Sequence, residues 1–288
     1  MRLILVHGIN QQGAGEAVLK DAWLGHLAAG LGRPLGQAEV LVPFYGDRLA
    51  ALSDGHAGGA VAQGPGGQTD TGEAGFLAAA LTEQAQAAGA TAAMIAAEER
   101  RVPGEAVEEG FPMNRRINAL VRVLERASPL HGSVVMRLLP QAYAYLKRPA
   151  AGAAVDAIVR PILDAGPAIV VGHSLGTVVT FKLLRQLALE NRALDVPLYV
   201  TLGSPLPLMA VQAALGPAFA VPRGVGRWLN AVDPDDFIAL GRGLDGLNFA
   251  EGIDNILDIE NVPGDAHAIE GYLRDPRVAA AIAQACGI

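Results

Sequence analysis

Cysteine is almost missing from this chain: the single one, Cys286, lies two positions from the C-terminus. An intrachain disulfide and a cysteine-based zinc site are thereby excluded, which fits a reducing compartment, with the cytoplasm as the default. Aromatic residues are scarce too, at 5%, and alanine inflates the 51% apolar share, so the positive mean hydropathy reflects small side chains. No apolar run reaches the ~20 residues that cross a bilayer. The run LILV ahead of His7 is also far shorter than the ~7 to 15 residue core of a secretory signal, so it reads as a first strand and no transmembrane segment is expected. Cations are outnumbered, 22 Lys and Arg against 29 Asp and Glu, for a net charge of -7. That balance argues against a nucleic-acid partner, which needs clustered Lys and Arg. The one basic cluster, Arg115 to Arg126, carries Glu125 and reads as the solvated face of a helix. A GxxxxGK[ST] phosphate loop and internal repeats are missing as well.

What is present alternates. The run RLILVHG is apolar on both faces, as a central strand of a parallel sheet should be. A helix pattern follows on Ala17, Leu19, Trp23, Leu24 and Leu27 and stops at Gly30 and Gly32. Then AEVLVPFYG, PAIVVGHS, VPLYVTLGSP and GRWLNAVD read as further strands, ILDIE as strand-like, and VVTFKLLRQLALENR as the helix after the third strand. Strands alternating with helices predict an α/β fold, a mostly parallel sheet flanked by helices.

Two stretches break that rhythm. The glycine-rich segment 53–75 reads as a mobile loop, and three helical patterns follow, GFLAAALTEQAQAAGATAAMIAAEER, NRRINALVRVLERA and SVVMRLLPQAYAYLK. Together they separate the second strand from the third by far more than one helix and its loops require. The expected organisation is a core of residues 1–46 and 150–288 with a helical, cap-like insertion at 47–149.

The segment AIVVGHSLGTVV holds the chemistry. Gly172, His173, Ser174, Leu175 and Gly176 match GxSxG between a strand and a helix, the setting in which a strained turn lifts a serine Oγ above the sheet as a nucleophile. A serine that merely caps the helix is the alternative reading. A serine hydroxyl needs a base, usually histidine, and that histidine needs an acid to orient it. His173 adjoins the serine on the tight turn and diverges from it; His7, His26, His56 and His131 precede it. In α/β-hydrolase topology the chain order is serine, acid, histidine, which leaves His267, in a loop before the closing helix.

The acid should come from DPDDFIAL after the strand GRWLNAV. Asp233 is suited to opening the turn before Pro234, Asp235 to a solvent-facing spacer, and Asp236, beyond the turn, is the first choice with Asp233 second. For the oxyanion, one donor should be the N–H of Leu175 and the other an amide of HGINQQGAG, Ile9 first and Asn10 next, where Gly8 permits a sharp bend.

With its HG loop, GHSLG elbow, TLGSP, WLNAVDPDD and DAHAIEGYL in this order, the chain resembles the α/β-hydrolase superfamily, its serine esterase and lipase-like branch, over residues 1–46 and about 150–288. TLGSPLPL and NAVDPDDF look like patterns of lipase-like members such as the inositol deacylases of lipid anchors, where the second aspartate of the loop tends to be the triad acid; that resemblance favours Asp236. The chain departs from larger members in having no strand pair before RLILVHG and in carrying its insert early. The resemblance implies a serine hydrolase of carboxylic esters acting through an acyl-enzyme with a Ser174, His267 and Asp236 triad and no metal or organic cofactor; the small aromatic content and the lack of an exposed apolar signature favour a short to medium acyl chain over emulsified fat. The same triad would serve a thioesterase, amidase or peptidase, and a noncatalytic scaffold of this fold is the alternative from another class. The expected partner is a small-molecule ester; the oligomeric state is open.

Overall fold

The computed structural model of the chain describes residues 1–54, 71–102, 115–127 and 131–288, without the side chains of 54, 71, 127 and 131–137. Strand β1 (Arg2–Val6) is an interior strand, buried because its apolar residues serve both faces. Ile4 and Val6 enter one buried cluster, whereas Leu3 and Leu5 enter the other. Strand β3 (Ala168–His173) divides in the same way, Val170 to one side and Ile169 and Val171 to the other. That two-residue alternation between two dry faces is the signature of a strand covered by helices on both sides.

With β2 (Glu39–Leu41), β4 (Val196–Leu202), β5 (Val225–Ala231) and β6 (Ile253–Ile256) the strands form a six-stranded sheet in the order β2-β1-β3-β4-β5-β6, every pair parallel. Val6 pairs with Gly172, His173 with Leu202, and Leu202 with Ala231. The carboxyl ends of β1, β3, β4 and β5 therefore share one edge. From β1 the chain runs outward to β2 and returns on the other side as β3, so the strand order reverses between them, the crevice where open parallel sheets place their sites.

One face is covered by α1 (Glu16–Leu31), α10 (Ile269–Arg274) and α11 (Pro276–Cys286), which contribute Trp23, Leu27, Tyr272 and Ile282. Gly32, at φ 65°, ends α1 by donating to the carbonyls of Ala28 and Ala29, and the Asp275 carboxylate caps α11 at the N–H groups of Arg277 and Val278. The other face carries α8 (Leu175–Leu189) and α9 (Met209–Leu215). It also meets the helices between β2 and β3: α2 (Gly46–Asp54), α3 (Thr71–Ala87), α4 (Ala92–Arg101), α5 (Arg115–Ala127), α6 (His131–Lys147) and α7 (Pro149–Leu163). Leu77, Leu120 and Leu139 share one buried cluster with Val170, Val178 and Phe237, so these helices do not pack only on one another. A polar tie joins them to the core: the Glu83 carboxylate of α3 accepts from the N–H groups of Met209 at 2.8 Å and Ala210 at 3.2 Å, at the start of α9. Arg122 and Arg126 of the basic cluster are about half exposed and surround the buried carboxylate of Glu98, Arg126 at 2.7 Å.

Three expectations need correction. The pattern at 75–100 is two helices, because Gly89 turns with φ 86° and Thr91 restarts the chain by accepting from the N–H of Met94 at 3.2 Å. The second strand is only Glu39–Leu41, since Pro43 has no N–H for the ladder. The last strand is Ile253–Ile256 rather than ILDIE: the polar Asp254 and Asn255 are in the ladder because Arg227 pairs with Asp254 at 2.7 Å and Asn230 donates to Asn255 at 2.9 Å. Of the glycine-rich stretch, Ser53 and Asp54 close α2 and 71–75 open α3; its middle, with His56, lies outside the described residues, as does the side chain of His131. No helix among the described residues is long and apolar enough to cross a membrane.

Candidate active site

Ser174 stands between β3 and α8 with φ 53° and ψ -127°, a conformation that L residues avoid at a cost of ~1 to 3 kcal/mol. The surroundings hold it there. Its N–H donates to Leu202 O at 3.0 Å, and its carbonyl accepts from Thr177 twice, from N at 3.0 Å and from Oγ1 at 2.7 Å. Thr177 Oγ1 also lies 2.8 Å from Ser204 Oγ, which ties the elbow to the end of β4. Gly176 explains the second glycine of the motif: a Cβ there would lie 2.6 Å from the His7 carbonyl oxygen and closer still to that of Val6. Both obstacles are backbone, the last residue of β1 and the one after it, and cannot swing aside as a side chain could. Gly176→Ala is therefore expected to cost at least the ~1 to 3 kcal/mol of ordinary overpacking, read as a lower denaturant midpoint; an unchanged midpoint would contradict this packing.

The loop after β1 presses on the serine. A Cβ on Gly8 would sit 2.7 Å from Ser174 Cβ and 3.2 Å from its Oγ, so Gly8 leaves the space beside the serine free. His7 anchors this loop. Its Nδ1 donates to Gly8 O at 2.7 Å, its Nε2 accepts from Tyr45 N at 3.1 Å, and the Tyr45 hydroxyl donates to His7 O. Burial pushes the imidazole down to about 4, so it stays neutral in this tautomer. Ile9 follows, buried, and Asn10 is exposed with φ 58°. Leu175, the first residue of α8, has an N–H without an intrahelical acceptor, as every first-turn amide does.

Opposite the elbow, His267 is 9% exposed and its Nδ1 lies 2.8 Å from Asp236 Oδ2. Asp236 is fully buried and saturated with donors. Oδ1 accepts from the N–H groups of Ile238 at 2.9 Å and Ala239 at 3.4 Å, and Oδ2 accepts from His267 and from the Tyr272 hydroxyl at 2.6 Å. Burial alone would raise this carboxyl, but the charge and hydrogen bond of His267 and the bond from Tyr272 outweigh it and hold Asp236 below its ordinary value. Gly203, at φ 54°, leaves room for the pair: a Cβ there would stand 2.7 Å from Asp236 Oδ2 and 3.1 Å from His267 Nδ1. Because Gly203 directly follows Leu202, which accepts from Ser174 N, the serine and the histidine flank the same end of β4.

Asp233, the second choice for the acid, faces elsewhere. Its Oδ1 accepts from Asp235 N at 2.8 Å, its carbonyl accepts from Asp236 N at 2.9 Å to form the turn, and its Oδ2 accepts from Asn261 N at 3.0 Å. Asp235 is exposed. Asn261 braces the histidine loop: its Nδ2 donates to the carbonyls of Ala266 at 3.0 Å and Ala268 at 2.8 Å, on either side of His267, and its Oδ1 accepts from Gly271 N at 3.0 Å. His173, next to Ser174 in the chain, bonds through Nε2 to His267 O at 2.9 Å. Because a carbonyl only accepts, that nitrogen carries the proton, and burial holds the ring neutral at about 3. Tyr272, Asn261 and this role of His173 are missed by sequence reasoning; only the proximity of GYL to DAH hinted at the first.

Two buried polar atoms here are left without a hydrogen-bond partner, Ser174 Oγ and His267 Nε2. Such orphans are costly, and in native proteins they mark places where another group is to be received. With His267 Nδ1 committed to Asp236, Nε2 is the ring nitrogen left without a partner, as the Ser174 hydroxyl is on the elbow. Among the described residues no group of three or more His, Cys, Asp and Glu is placed to hold a metal ion. Comparison with protein-family models and with curated proteins gives no match to this chain.

Proposed function

We propose that the chain is a serine hydrolase of carboxylic esters of the α/β-hydrolase kind. The observation that carries this reading is the strained Ser174 elbow facing a histidine whose far nitrogen is fixed on a buried carboxylate, with both reactive atoms unengaged. In the proposed reaction Ser174 Oγ attacks the ester carbonyl while His267 Nε2 takes its proton. The oxyanion that forms is received by the N–H of Leu175, at the positive end of α8, and by that of Ile9, with Asn10 as the alternative donor. Collapse breaks the C–O bond, and the departing alcohol takes the proton back from His267. Water, giving a proton to the same Nε2, then adds to the acyl carbonyl, and the second collapse breaks the Ser174 Oγ–C bond, releases the acid and returns the proton from His267 to Ser174 Oγ. Asp236 steadies the imidazolium; its four donors keep it ionised, so it has no cause to take the proton itself.

Phe76, Leu77 and Leu81 of α3 belong to the same buried apolar cluster as Leu206 and Phe237, which supports an apolar acyl site of short or medium length under the insert. Hydrolysis of p-nitrophenyl esters from acetate to palmitate, wild type beside Ser174→Ala, tests the reading. A serine-dependent optimum at one chain length is expected. Activity that is the same in both proteins would refute it, and silence across the series in a protein that still reacts with a serine phosphonate would move the substrate to a thioester or an amide.

A further inference from the structure

We propose that Tyr272 is a positioning residue of the reaction, holding Oδ2 of Asp236 on His267 and setting how strongly that carboxylate supports the imidazolium. The inference rests on His267 being the base. Tyr272 sits on α10, five residues after His267 and fully buried, with its hydroxyl 2.6 Å from the same oxygen that meets His267 Nδ1. The hydroxyl also accepts from Asp233 N at 3.2 Å. Having taken that N–H, it has one proton left, and the carboxylate is where it goes. Asp233 therefore contributes through its backbone, fixing the direction of the tyrosine O–H.

Two donors on one oxygen divide its negative charge. Without the hydroxyl the carboxylate would be more basic and would favour a charged His267 more strongly, so the histidine would stay protonated to a higher pH. It would also be held by one fewer contact and would let the imidazole wander from the serine. The other titratable groups close to the pair are few. Asp265 accepts from His267 N through Oδ1 at 3.1 Å, Asp233 acts on Asp236 from the turn after β5 with its carboxylate turned to backbone amides, and His173 comes from the end of β3 with His7 behind it, both neutral by burial. Glu270 and Arg274 of the same helix α10 act on His26 instead.

The test is Tyr272→Phe, which keeps the ring and removes one oxygen, beside Tyr145→Phe. Tyr145 is a matched control: a buried tyrosine donating to a carboxylate, Asp156 at 2.9 Å, outside the site. Both variants should lose stability. Only Tyr272→Phe should lower kcat, by ~10-fold with KM little changed, as for a lost hydrogen bond to a charged group. Only Tyr272→Phe should move the acid limb of kcat/KM upward, by roughly half a pH unit or more. Titration of the His267 ring followed by NMR should show the same upward move without any substrate, so it reads the coupling even if esters are not hydrolysed. If Tyr272→Phe leaves both the NMR titration and the acid limb where they are in wild type, with activity falling only as folded protein falls, as in Tyr145→Phe, the tyrosine is structural and the proposal is overturned. If the NMR titration moves but Ser174→Ala retains ester turnover, the hydrolase reading fails and the coupling stands.

Discussion

Replacing Ser174 by alanine is expected to lower kcat/KM for the best ester by at least ~10³-fold, because the members of a triad act as a unit and the remaining groups cannot replace the nucleophile. The fold should survive. Ser174 Oγ makes no hydrogen bond, whereas the bonds that hold the elbow come from its N–H and carbonyl, which alanine keeps. Alanine has no easier time than serine at φ 53°, so the strain stays and thermal unfolding should be nearly unchanged. Kinetics and circular-dichroism melting on the same preparation check both halves, and near-wild-type turnover in a folded variant would sink the mechanism.

Asp236→Asn should be as damaging in a different way. An amide in place of the carboxylate is nearly isosteric, but its NH₂ must face one of two pairs of donors: the backbone N–H groups of Ile238 and Ala239, or His267 Nδ1 and the Tyr272 hydroxyl. The backbone pair cannot rearrange, whereas the imidazole can move its proton to Nε2. The amide will then donate to Nδ1, and the nitrogen that should take the serine proton already carries one. Turnover should fall by ~10³ to 10⁴-fold, the scale seen when a triad acid becomes its amide. Asp233→Asn should cost less than ~10-fold, since its carboxylate only caps two backbone amides. The opposite ranking in steady-state kinetics would reassign the acid. A stability signature accompanies the change. Asp236 has its folded-state value held below the ordinary one, so it contributes stability above the unfolded carboxyl pKa and loses it as pH falls through the folded value. The asparagine variant should lack that acid-side loss.

Much of this site is legible in the chain because its parts obey local rules. Glycines two residues either side of a serine, after an apolar β-branched run, announce a turn where backbone crowds backbone, and Gly176 against β1 is that crowding. The helix pattern ending at Gly32 and the turn at Asp233 and Pro234 are likewise local. The groups that hold the histidine are not. Asn261 grips carbonyls, His173 reaches across 94 positions to one, and Tyr272 reaches back 36 positions to Asp236; none of these partners has a spacing rule. The break between α3 and α4 is hidden because the alanines on both sides of it favour helix, so only Gly89 and Thr91 carried the signal. The last strand was hidden because its polar residues are satisfied from β5.

The most direct measurement of the central claim, a serine made nucleophilic by His267, is covalent capture with a fluorophosphonate followed by peptide mapping. The mechanism predicts one adduct per chain, on the peptide holding Ser174, missing in Ser174→Ala and formed far more slowly in His267→Ala. A folded wild-type chain that stays unmodified under conditions that modify a known serine hydrolase, or an adduct that persists in Ser174→Ala, would contradict it.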